Sequence, residues 1–179
     1  MKKIILISVL LLANLTFAQE KMICKTATVV FEASVPSFEE VKAANNTVTL
    51  VLNPKTGEIA SLALMKGFRF KVALMEEHFN ENYIESDRYP KAIFRGKIEN
   101  FDLQNLTSIP KDYRVSGKLE LHGKTQAIQA VLKISQSNSG IKIASNFSVK
   151  ASDFAIDIPA IVKNKVSNAV HIQLNGILK

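Results

Sequence analysis

From Lys91 almost to the C-terminus, apolar and polar side chains alternate residue by residue, and that period of two restricts the chain to strands with one buried face. In "KAIFRGKIENF", Ala92, Phe94, Gly96 and Ile98 share one face while Arg95, Lys97 and Glu99 share the other. "RVSGKLELHG" repeats the pattern, with Val115, Gly117, Leu119 and Leu121 inward and Ser116, Lys118, Glu120 and His122 outward. A tight turn is expected at "GKT". "AIQAVLKIS" then sends Ile128, Ala130, Leu132 and Ile134 inward, and "SNSG" at 137–140 turns the chain again. "IKIASNFSVKA" and "NAVHIQLNGIL" continue the alternation through Phe147 and Val149, then Val170, Ile172 and Leu174.

The first half is less regular but still strand-like. "TATVVFEAS", "TVTLVL", "IASLALM" and "GFRFKV" are rich in β-branched and aromatic residues, and "NPKTGE" at 53–58 reads as a turn. Two short helices are expected between the strands. "VPSFEEVKAA" at 35–44 places Pro36 near a helix start and Glu39 and Glu40 in the first turn, where carboxylates favour the positive end of the helix dipole. "ALMEEHFNEN" at 73–82 spaces Met75 and Phe79 by four, giving a narrow apolar stripe that can dock on a sheet.

Sequential antiparallel strands, about eight in all, with hairpin turns and few helices, point to an up-and-down barrel or a sandwich; closure removes exposed edges and favours the barrel. The inward set includes small residues, Ala92, Gly96, Gly117, Ala130, Ser145 and Gly176, among the large apolar ones. An eight-stranded barrel either fills its interior with side chains or holds one small ligand; the small inward residues favour a cavity, and the alternative is that they fit the taper of a filled barrel.

Residues 1–18, "MKKIILISVLLLANLTFA", have Lys2 and Lys3, an apolar run too short to span a bilayer, and small residues near Ala18, which is the order of a cleaved secretory signal. Export to the periplasm or the medium is expected, with Gln19 first in the mature chain and one domain over 19–179. Cys24 is the only cysteine, so no internal disulfide forms, and "KMIC" lacks the small residues of a lipidation site. Without Lys2 and Lys3 the net charge of +7 falls to about +5, scattered along the strands. A basic stripe with interleaved aromatics is absent, which argues against nucleic acid.

"HFNENYIESDRYPKAIFRGKI", residues 78–98, is the densest cluster of chemistry-bearing side chains. His78 and Glu81 fall on one helical face, yet neither Glu77, His122 nor His171 completes a recognisable metal-ligand spacing. No serine or cysteine has the elbow or base expected of a nucleophile, and the Glu76–Glu77 and Glu85–Asp87 pairs read as solvated faces. The stretch is therefore scaffolding: a helix, a loop in which Ser86 or Asp87 accepts backbone hydrogen bonds, and Pro90 entering a strand. No catalytic or metal-ligating residue is assigned.

This stretch, with "YRVSGKLELHGKTQAIQAVLKI" and its G-K-L-x-L-x-G-x-T pattern, "ASNFSVKASDFAIDIP" and "VSNAVHIQLNGILK", resembles the YceI-like family of secreted lipid-binding proteins. The likeness covers nearly all of residues 19–179, with one departure: Ala155 stands where the family phrase usually has Gly after the Phe. It implies an all-β, eight-stranded antiparallel lipocalin-like barrel with one or two short helices, closed around an elongated apolar tunnel. It further implies no covalent cofactor and no enzyme activity, but a bound polyprenyl lipid or isoprenoid quinone. The tunnel wall is expected from Phe31, Leu50, Leu52, Phe68, Phe70, Phe94 and Ile98 on the earlier strands, and from Leu119, Leu121, Leu132, Phe147, Ile172 and Leu174 on the later ones. Ordinary core packing of the same residues, in a filled barrel acting as a structural or interaction module, is the competing expectation, and an enzyme acting on an apolar substrate is a third. Transient contact with a membrane surface and homodimer formation stay open.

Overall fold

A computed structural model describes residues 21–179. The signal peptide expected over 1–18, and its cleavage before Gln19, lie outside the described residues. The strands are β1 (Met22–Ser34), β2 (Lys42–Leu52), β3 (Glu58–Leu64), β4 (Arg69–Phe70), β5 (Lys91–Ile98), β6 (Lys111–Leu121), β7 (Lys124–Ser137), β8 (Gly140–Lys150) and β9 (Val166–Leu178). Each pairs antiparallel with its neighbour in one sheet, and pairing of β1 with both β2 and β9 closes it. Eight strands run round this closed barrel. The two-residue β4 pairs with Ala43 and Ala44 of β2, above the part of β2 that pairs with β3, so it extends β3's position after an interruption.

The turns follow from their residues. In the β2–β3 turn the Asn53 carboxamide oxygen accepts from the backbone N–H groups of Lys55 and Thr56 at 3.0 and 3.3 Å. Gly57 takes the left-handed backbone there, at φ +71°. The β6–β7 turn is His122–Gly123, with φ 50° and 70°, the two-positive-φ geometry that matches strand twist. His122 therefore belongs to the turn and not to the outward row of β6, a correction to the alternation, which ends at Leu121.

The expected helix over 35–44 does not form. Val35–Phe38 make a turn, with Ser37 at φ 72° and the Phe38 N–H donating to the Val35 carbonyl at 3.2 Å, and Pro36 supplies the fixed φ of its first central position. Pairing resumes at once: the Ala33 N–H donates to the Val41 carbonyl at 2.9 Å and the Val41 N–H to Ser34 Oγ at 3.1 Å. Lys42–Ala44, read as the end of that helix, pair instead with Val30–Glu32. Strand pairing with β1 overrides a weak local helix signal.

The second helix is present as α1 (Ala73–His78), which widens into a π-turn over Phe79–Tyr83. There the Ile84 N–H reaches the Phe79 carbonyl at 2.9 Å, one residue further back than in an α-helix. In the loop that follows, the Asp87 carboxylate pairs with Lys66 and the Glu85 carbonyl accepts from Arg88 and Tyr89, so the backbone-accepting role expected of Asp87 or Ser86 falls to Glu85. Ser86 is buried, its N–H donating to the Asn80 carbonyl at 2.8 Å.

The two ends of the barrel differ. At one end Leu52, Ile98, Ile134, Ile143 and Leu178 are at most 1% exposed and form a packed floor. Leu106, from the β5–β6 connection, is buried with this cluster. At the other end lie the β1–β2 loop, α1 with its π-turn, the β6–β7 turn and the β8–β9 connection. No helix among the described residues is long and apolar enough to cross a membrane.

Candidate functional site

The inward rows of the strands enclose a cavity of about 540 Å³ above the floor. That is within the range of sites for small organic ligands. The barrel is thus not filled by its own side chains. Register sets the levels of the wall. Phe70, Phe31, Ile172 and Phe147 lie on one line of paired residues near the mouth. Leu174 and Leu132 flank Ser145 deeper down, and Leu50 approaches Gly176 beyond them. Phe94 and Leu119 are paired on the opposite wall, with Leu121 above them beside the turn.

Of the thirteen side chains expected in the tunnel wall, eleven face the cavity: those just named and Phe68. Leu52 and Ile98 do not. Both belong to the floor, where inward alternation continues but the strands have converged on the packed end. The small inward residues divide likewise. Ala92, Ala130 and Ser145 line the cavity. Gly176 is packed on Ala27, Leu50 and Cys24, and Gly96 and Gly117 lie under the Phe94 ring.

An aromatic cluster builds one side of the mouth. Phe79, carried inward by the π-turn, stacks on Phe31 at 5.3 Å between ring centroids and meets Phe70 at 5.2 Å; Phe68 meets Phe31 edge-on at 5.3 Å. Such pairs add about 0.5–1.5 kcal/mol beyond their buried area and hold the helix against the barrel beside β4, whose one paired neighbour is β2. Met75 also lines the cavity, so both residues of the expected helical stripe point into it.

Polar groups gather at the rim: Glu39, His78, Tyr83, Lys165 and Ser167. Deeper in, the Ser145 hydroxyl donates to the Val131 carbonyl at 2.8 Å, leaving Ser61 as the other polar side chain of the inner wall. Lys71 bridges the rim to Glu40 at 2.6 Å. Its hydrogen bond and charge hold the Glu40 carboxyl below the usual carboxylate range, and Glu40 in turn raises Lys71. Among the described residues no group of three or more His, Cys, Asp or Glu side chains is arranged to hold a metal ion. His78 is exposed at the rim, His171 bonds to Ser148 Oγ at 2.8 Å on the outer face, and His122 bonds to Glu85.

Several lining residues were not expected. Val115, Ile128 and Val170 carry the inward alternation and are legible by that signal. Ile156, Ile158 and Val162 come from the β8–β9 connection, which has no period, and nothing in their spacing announces the site.

The fold is shared with solved proteins of low sequence identity. A polyisoprenoid binding domain from Saccharophagus degradans, implicated in plant cell wall breakdown, superposes with a TM-score of 0.75 at 16% identity, covering 89% of this chain and 97% of that one. Burkholderia cenocepacia BcnA gives 0.68 at 16% identity, over 84% and 95% of the two chains. A Campylobacter jejuni YceI protein gives 0.60 at 17% identity, over 81% and 87%. No curated protein matches the sequence. Residues 15–177 match the family model of the YceI-like domain, and the chain accordingly belongs to the YceI-like domain family.

Proposed function

We propose that the protein is an exported, non-enzymatic carrier or sequestering protein, periplasmic or secreted, for a long-chain isoprenoid or a similar amphiphilic lipid. The lumen takes the tail, and the rim takes the head. The observation that carries this reading is the apolar cavity of about 540 Å³, closed at one end by a packed floor and lined at its rim by Glu39, His78, Tyr83, Lys165 and Ser167. The polyisoprenoid binding of the Saccharophagus degradans relative supports the choice of lipid class. A polyprenyl phosphate and an isoprenoid quinone both meet the requirement of a long apolar tail on a compact polar head.

The mechanism is burial. At ~25 cal/mol per Å², a tail hiding ~400 Å² from water gains on the order of 10 kcal/mol before the costs of ordering it. This requires no reacting side chain, only a wall that is apolar and already formed. Loading from a bilayer fits the mouth, where Phe38, Leu74 and Ile161 expose apolar side chains, Ile161 at 84%. Transient contact of that end with a membrane would bring the lumen to its ligand.

The test is organic extraction of the protein purified from its native host, with lipid mass spectrometry. About one amphiphile per chain is expected. An extract no richer in lipid than that of an unrelated exported protein prepared alongside contradicts the proposal.

A further inference from the structure

Four inward positions of β5 run from mouth to floor as Ala92, Phe94, Gly96 and Ile98, and the third is bare. Its cross-strand partner on β6 is also a glycine, Gly117. The room of the two missing side chains is taken by one ring: Phe94 Cζ lies 2.7 Å from where a Cβ on Gly96 would be, and 2.8 Å from where one on Gly117 would be. The Phe94 ring is thus folded down the wall, over the glycine pair and toward Ile98 of the floor. It lines the cavity, as do Ile59, paired to Gly96, and Ile128, paired to Gly117. At this depth the wall between those two isoleucines is a single side chain laid on bare backbone.

We propose that Phe94 sets the capacity of the lumen and so determines which tails the protein accepts. The inference rests on the lipid-binding reading above and specifies its ligand: an amphiphile whose distal tail lodges beside the Phe94 ring. Gly96 and Gly117 are the one cross-strand glycine pair among the described residues. Removing this ring uncovers two strands at once, adding a continuous recess between the tail end and the floor. An aliphatic tail is the natural occupant of that recess, because both glycines present only backbone already paired in the ladder. Side chains at 96 and 117 would fill the recess but would collide with the Ser116 and Arg95 carbonyls at 2.6 and 2.4 Å, so capacity can be varied at Phe94 and not at the glycines.

The experiment measures Kd of the delipidated protein for linear all-trans prenyl alcohols of increasing isoprene number. In the wild type, affinity should rise by about fourfold for each further methylene buried, then stop rising once the lumen is full. In Phe94→Ala that break should move to a tail longer by about one isoprene unit, since a six-carbon ring gives way to a five-carbon unit. Phe94→Leu, which disturbs folding less, should move it in the same direction by less and decides the matter if the alanine variant does not fold. Breaks that coincide in the wild type and the folded variants overturn the role of Phe94 while leaving lipid binding intact. A wild type that binds no member of the series ends the lipid-binding reading, and this inference with it.

Discussion

His122 and Glu85, separated by 37 residues, meet at the mouth of the barrel with His122 Nε2 3.0 Å from a Glu85 carboxylate oxygen. The other ring nitrogen donates to the Phe154 carbonyl at 3.0 Å, which can only accept and so requires a proton on Nδ1. Tyr89 closes over the ring edge-on at 4.5 Å. One imidazole thereby clamps three connections around the lumen: the loop after the π-turn, the β6–β7 turn and the segment following β8.

This clamp predicts unequal effects for its two partners. His122→Asn keeps a residue suited to the left-handed turn backbone but is too short for either bond, and should cost about 2–3 kcal/mol, since the imidazole is largely buried. Glu85→Gln should cost under about 1 kcal/mol, because its amide can donate to Nε2 while Nδ1 keeps the Phe154 carbonyl. Urea unfolding of both variants checks this, and equal losses would show that the clamp does not work through these two bonds.

Ala155 occupies the left-handed region at φ 54°, closing the short turn after Phe154. A side chain with a Cβ pays about 1–2 kcal/mol in this conformation, whereas glycine forfeits about 0.5–1 kcal/mol through the freedom of the unfolded chain. Ala155→Gly should therefore stabilise the protein by a net of about 0.5–1 kcal/mol, seen as a raised urea midpoint at unchanged slope.

The Glu40–Lys71 bridge makes a prediction about pH. Because Lys71 depresses the folded-state pKa of Glu40, the bridge contributes above the ordinary carboxylate pKa and is lost as pH falls through the lower folded value. For Lys71, raised in the folded state, the contribution is present below the ordinary lysine pKa and is lost as pH rises through the folded one. Lys71→Met should move the NMR titration midpoint of Glu40 upward, because the hydrogen bond and charge of Lys71 are the largest causes of its depression. The same shift should shrink in high salt, because Lys71 is exposed.

Gly117 should tolerate no side chain. A Cβ there would stand 2.4 Å from the Arg95 carbonyl oxygen and 2.6 Å from Gly96 Cα, backbone atoms that move only with the sheet. Gly117→Ala is expected to cost about 1–3 kcal/mol despite alanine's advantage over glycine within strands. A thermal midpoint equal to that of the wild type would show that β5 and β6 are free to separate locally.

Alternation made the five regular strands, β5 to β9, and their inward faces legible in the sequence, but not how deep each inward residue lies. Leu50 and Leu52, or Phe94 and Ile98, are equivalent by period; closure of the barrel and its stagger make one of each pair wall and the other floor. The Pro36–Ser37 turn was masked by acidic residues that suit a helix start as well as a loop. His122 fitted the outward row of β6 because nothing in the period marks where a strand becomes a turn, although the following Gly123 is the residue that a two-residue turn favours. The rim depends on connections without a repeat, so Ile156, Val162 and Lys165 could be placed only by the fold itself.

Whether the lumen holds a lipid is read by native mass spectrometry of the wild type beside Ala130→Phe, paired with the melting temperatures of both after delipidation. Ala130 lines the cavity and is paired to Val115 on the inner wall, so phenylalanine there competes with a tail for the same space. The wild type should carry about one lipid per chain. Ala130→Phe should lose it, yet melt at or above the delipidated wild type, because filling a cavity relieves it, whereas overpacking a full core costs about 1–3 kcal/mol. A wild type without lipid, together with a variant that melts far lower, would show a barrel with no room to hold a ligand and would end the carrier reading.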